Sequence, residues 1–183
     1  FLSYVDYALC AVLKTQGKYS EATPCFEQVR ELSNKLGDVE GGLLVTAELS
    51  GIEMARGRLE QGVTLARQAY DGASDYAYAR SYASAMLALG LLSIGDVDNA
   101  TPLIQERLDN EWSDPGQPYV FISASAAHAV GELASAVQIA EAVRADIGDA
   151  WTPEHQAWLD WFARDAAAGE RTIPNYYALD SAD

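Results

Sequence analysis

The chain predicts an all-α protein built as a stack of about four antiparallel helix pairs and closed by one C-terminal capping helix. Three observations carry that expectation. Glycines at 17, 57, 95 and 131 recur at spacings of 40, 38 and 36 in the same local context. Between them, apolar residues fall at helical spacing. Near the end, Thr152-Pro153-Glu154 opens a last helix with N-cap, proline and acid in order, and no second helix follows it.

The repeat is defined by columns. Two residues after each glycine stand Tyr19, Leu59, Val97 and Leu133; five after stand Ala22, Gly62, Ala100 and Ala136. Nine after stand Phe26, Ala66, Ile104 and Ala140, and seven before stand Cys10, Ser50, Ala88 and Ala124. A glycine can end a helix in the left-handed conformation without a Cβ penalty. Small residues on both sides of the turn let two antiparallel helices approach closely.

Each element follows in turn. Residues 3–16 form a first helix with Leu9, Val12 and Leu13 inward, and 19–36 its partner through Ala22, Phe26, Val29, Leu32 and Leu36. Gly37 stops that helix and Asp38 caps the next. Residues 39–56 carry Val39, Leu43, Val45, Leu49 and Ile52, with Gly41-Gly42 weakening the first turn, and 59–72 return through Leu59, Val63, Ala66 and Ala69. A helix from Asp75 to Ser93 and a partner over 97–111 make the third pair. The stretch 112–118, with two prolines, a glycine and no periodicity, is a loop. Residues 119–129 and 132–147 form the fourth pair, 153–168 the capping helix, and 169–183 an irregular tail. The units are thus 3–36, 39–73, 76–111, 118–147 and 153–168.

The glycine, the small residues and the aromatic or apolar columns resemble the tetratricopeptide-repeat (TPR) family from about Tyr4 to Ile147. The spacings exceed the standard repeat, and the positions matching the family's tryptophan are Asp6, Thr46, Ser84 and Val120. The resemblance implies a right-handed α-α superhelix of TPR-like pairs. The run Phe26 to Asp38, with Ala55-Arg56-Gly57-Arg58-Leu59 and Gly131 to Ala136, is similar to the C-terminal repeats of MalT-like (STAND-class) bacterial transcriptional regulators. That implies a repeat arm of a larger cytoplasmic signalling protein; Phe1 entering directly into a helical pattern fits a fragment or a processed chain.

Composition narrows the function. Lys and Arg total 12 against 27 Asp and Glu, a net charge of −15, the wrong sign for a nucleic-acid backbone. No apolar run approaches the roughly 20 residues needed to cross a bilayer. The two cysteines, Cys10 and Cys25, flank the first turn; a disulfide is geometrically open to them, but Cys10 occupies a small-residue column, and the reading favoured is two free structural thiols in a reducing compartment. Two histidines, no Cys-x-x-Cys, no phosphate-cradling glycine loop and no nucleophile elbow leave no catalytic residue, metal site or cofactor to name.

The candidate site comes from the family geometry, in which first helices line a concave groove. Thirteen, ten and six residues before each glycine come Tyr4, Tyr7 and Ala11; Leu44, Ala47 and Gly51; Tyr82, Ala85 and Leu89; Pro118, Phe121 and Ser125. Glu48, Arg80 and His128 lie near the same face, while His155 is expected to face solvent. Tyr4, Tyr7, Leu44, Glu48, Arg80, Tyr82, Leu89, Phe121, Ser125 and His128 are therefore the groove candidates for a peptide, protein segment or effector. The expected function is a non-catalytic interaction or sensing module of a bacterial regulator. The alternative is a scaffold that self-associates as a homodimer through its convex face or exposed terminal helices.

Overall fold

The computed structural model describes residues 2–109, 122–129, 131–151, 153–170 and 172, and among them the chain is helical with no strand. The helices are α1 (Leu2–Thr15), α2 (Tyr19–Leu36), α3 (Val39–Ala55), α4 (Leu59–Gly72), α5 (Ala77–Ser93), α6 (Val97–Asp109), α7 (Ile122–Ala129), α8 (Leu133–Ile147) and α9 (Pro153–Ala168), with a 3-10 turn at Gly148–Ala150. α5 starts two residues later than Asp75, because Asp75 belongs to the preceding turn and Tyr76 is the N-cap. The loop 112–118 and the tail beyond 172 lie outside the described residues.

The four glycines do what their spacing predicts. Their φ angles are +70° at Gly17, +78° at Gly57, +81° at Gly95 and +86° at Gly131. Around each, the same two turn-closing bonds recur. At the first, Gly17 N donates to Lys14 O at 2.9 Å and Lys18 N to Leu13 O at 3.0 Å; at the last, Gly131 N donates to His128 O at 3.0 Å and Glu132 N to Ala127 O at 2.8 Å. This pairing satisfies the orphan carbonyls of the outgoing helix and reverses the chain.

The columns become the helix crossings. Cys10, Ser50, Ala88 and Ala124 are all fully buried, as are Ala22, Ala100 and Ala136 across from them. At the second crossing the approach is close enough that a Cβ on Gly62 would lie 2.9 Å from the Ser50 carbonyl oxygen and collide with Met54. Phe26, Ala66, Ile104 and Ala140 fill the layer behind. Successive pairs then stack, with α3 on α5 and α5 on α7, while α2 meets α3, α4 meets α5 and α6 meets α7.

Two apolar clusters result. A smaller one gathers Cys10, Ala22, Phe26, Val29, Val45, Leu49 and Ile52 under α1 and α2. A larger one runs from Met54 through Met86, Leu87 and Leu91 to Trp158 and Phe162. α9 packs on α8 and buries Trp158, Leu159, Trp161 and Phe162.

Several expectations are corrected. Leu9 and Val12 of α1 are 58% and 49% exposed, and Leu36 and Val39 at the second turn 66% and 53%. Helical periodicity finds a stripe but does not tell which way the outermost helix turns it. Cys10 and Cys25 form a disulfide, with Cα atoms 5.5 Å apart, in place of two free thiols. They stand seven residues before and eight after Gly17, so antiparallel α1 and α2 bring them to one height where the helices cross. His155 is buried against Trp151, ring centroids 5.4 Å apart, and burial lowers its pKa. No described helix is long and apolar enough to cross a membrane.

Candidate functional site

α1, α3 and α5 present a shared face, and a recess of about 310 Å³ opens there against the C-terminal half of α2. That is the lower end of the size range of ligand pockets. Its walls are Tyr7 of α1, Val29 and Ser33 of α2, Asp38, Glu40, Gly41, Leu44 and Val45 at the start of α3, and Tyr78 at the start of α5.

Local sequence dictates this shape. Asp38 caps α3, its Oδ1 accepting the Gly41 N–H at 3.0 Å. Any larger residue at 41 would drive its Cβ into that carboxylate, so the glycine that weakens the first turn also makes room for its cap. Leu44 lies one turn on and stays half-buried, leaving an apolar floor. Tyr78, 62% exposed, stands over the opening from the next pair.

Behind the recess lies a buried carboxylate. Glu48 is 4% exposed; the Tyr7 hydroxyl donates to its Oε1 at 2.6 Å and Lys14 Nζ to its Oε2 at 2.7 Å. Burial pushes the carboxyl pKa up, but Lys14, Tyr7 and a bond from Tyr82 more than offset this and hold it below the ordinary value. Both α1 groups thus lock α1 onto α3, and Glu48 is saturated by the protein itself. It orients Tyr7 rather than offering a free charge.

The structure brings together Tyr7, Leu44, Glu48 and Tyr82 from the ten candidates, the first two on the recess wall and the other two behind Tyr7. Phe121 and the side chain of Tyr4 lie outside the described residues. Arg80 is elsewhere: its Nε donates to Glu106 Oε1 at 2.6 Å, its guanidinium stacks 4.3 Å from the Tyr70 ring centroid, and the Tyr70 hydroxyl bonds Glu106. Burial and Glu106 raise the Tyr70 pKa to about 12. This cluster ties α4, α5 and α6 together.

Leu89, 4% exposed, packs in the core, and Ser125 and His128 are fully buried there. The small residues around them bring neighbouring pairs too close for these positions to face an open groove. His128 Nε2 lies 2.9 Å from Asp165 Oδ2 on α9, and the same oxygen accepts the Thr172 N–H and hydroxyl, each at 2.7 Å. The His128 ring packs 4.4 Å from Trp161, so this polar pair is sealed inside the end of the stack. It fixes α7, α9 and Thr172, four residues past the end of α9, to one another.

Sequence reasoning missed Tyr78, Asp38 and Glu40 as recess residues and Lys14 as the partner of Glu48. Asp38 was legible only as a cap. Tyr78 precedes the family offsets by one turn, and Lys14 is 34 residues from Glu48, beyond any local pattern. Among the described residues no group of three or more His, Cys, Asp or Glu could hold a metal ion. Compared with protein-family models, curated proteins and solved structures, the chain matches none.

Proposed function

We propose that the chain is a non-catalytic interaction module, a TPR-like right-handed superhelix that binds a segment of a partner protein along the face made by α1, α3 and α5. The single observation that carries this reading is the recess over Leu44. It combines an apolar floor, two tyrosines and half-exposed walls, the composition that peptide grooves use. The carboxylates of Glu48, Glu106 and Asp165 are each bonded by the protein's own side chains and serve packing.

The resemblance to bacterial regulator repeats supports a role as the repeat arm of a larger signalling protein. The Cys10–Cys25 bridge supports an oxidising compartment instead of the cytoplasm that the resemblance implies.

Selection of a phage-displayed random dodecapeptide library tests the binding reading. Peptides enriched on the intact protein and lost on a Leu44→Asp, Tyr78→Ala variant of unchanged helical circular dichroism support it. Equal enrichment on both proteins, or none on either, overturns it. Self-association as a homodimer is a second reading, favoured by exposed Leu9 and Val12 on the outer side of α1. Sedimentation separates the two, since a dimer abolished by Leu9→Lys, Val12→Glu belongs to the second alone.

A further inference from the structure

Resting on that binding reading, we infer that the recess receives a basic side chain, arginine or lysine, carried by the partner segment. Three kinds of chemistry line it: Leu44, Val45 and Val29 offer apolar surface to an aliphatic stem, Tyr7 and Tyr78 contribute aromatic rings, and Asp38 and Glu40 are acidic. A cation on an aliphatic stem satisfies all three, because aromatic faces and carboxylates attract the head while the methylenes cover the floor.

Among the described residues no lysine or arginine lines the recess. The nearest in the network behind it, Lys14, is bound to Glu48. Glu40 is half-buried and, among the described residues, enters no ion pair or side-chain hydrogen bond. Its neighbour Asp38 uses Oδ1 on the Gly41 N–H, which removes one of the α3 donors that an anion at this helix start would seek. The chain's net charge of −15 draws the same class of partner at long range. An anionic or neutral apolar occupant gives Glu40 no partner.

The test uses four pools of fluorescein-labelled nonapeptides with Arg, Lys, citrulline or norleucine fixed at the centre and mixed neutral residues on either side, titrated at about 0.15 M salt to screen loose attraction to the acidic surface. The Arg and Lys pools bind about tenfold more tightly than the citrulline and norleucine pools. Glu40→Gln removes most of that difference without weakening the norleucine pool, and Tyr78→Ala weakens all four. If the four pools bind equally and Glu40→Gln changes nothing, the basic side chain is wrong while the groove stands. If no pool responds to Leu44→Asp or Tyr78→Ala, the recess is not the binding site and both readings fall. A charge preference that survives in both variants and vanishes with added salt assigns binding to the diffuse acidic surface and overturns the inference.

Discussion

Removing the Cys10–Cys25 bridge tests how the first pair is held, and its size follows from the structure. The bridge spans a sequence separation of 15, and closing such a loop removes roughly 3 kcal/mol of unfolded-state entropy. Among the described residues α1 packs on α2 and is bonded to the face of α3 that holds Glu48. In a stack where each unit touches only its neighbours, a local loss stays local. A Cys10→Ala, Cys25→Ala variant, which keeps a small side chain in the crossing column, should therefore unfold first at the α1–α2 pair. If unfolding remains cooperative, the midpoint falls by roughly 6 to 12 °C, at about 2 to 4 °C per kcal/mol for a chain of this size. Thermal circular dichroism with and without a dithiol reductant reads the midpoint, and hydrogen exchange on residues 2–15 reads the locality. The reasoning is refuted if intact-mass analysis after alkylation without reductant finds two modified cysteines. A variant whose α1 exchanges no faster than before refutes it equally.

Further outcomes follow from the other clusters. Lys14→Met strands the buried Glu48 carboxylate and should cost about 3 kcal/mol at neutral pH, measured by urea denaturation. Because the folded pKa of Glu48 is depressed, its contribution is present above the ordinary value of 4.5 and is lost as pH falls through the folded value; Glu48→Gln should flatten the stability profile below pH 4.5. Gly62→Ala gains helix propensity but meets the Ser50 carbonyl and Met54, and should lose about 1 to 3 kcal/mol in the same assay. Asp165→Asn replaces the acceptor of His128 and Thr172 with a weaker one and should cost about 2 kcal/mol, with a shift in tryptophan fluorescence from Trp161.

The helices and their crossings were legible because they rest on local rules. A glycine at φ near +80° and a tiny residue five positions on are demanded by a close antiparallel crossing whatever the rest of the chain does. Spacing alone therefore puts Ser50 and Ala124 at the close crossings, where both are fully buried. The disulfide lay in view, since two cysteines straddled one turn, but a small buried thiol fills the same column equally well. The outward turn of Leu9 and Val12 was hidden because an amphipathic stripe has no sign until its neighbours are known. Of the groove candidates, Tyr7, ten residues before Gly17, and Leu44, thirteen before Gly57, both reach the recess, because α1 and the start of α3 lie side by side there. Leu89 and Ser125 stand only six residues before Gly95 and Gly131, nearer the turn, and are buried where the pairs close over them. Glu48 with Lys14, and His128 with Asp165, join residues 34 and 37 apart, and only folding brings such pairs together.

The most direct measurement is a ¹⁵N correlation spectrum of the protein titrated with the tightest peptide from the dodecapeptide selection. The account predicts shifts concentrated at Tyr7, Asp38 to Val45 and Tyr78, with the amides of α6 and α8 unmoved. Shifts confined to α2, α4 and α6, or to the outer side of α1 around Leu9 and Val12, would contradict it and move the working surface away from the recess.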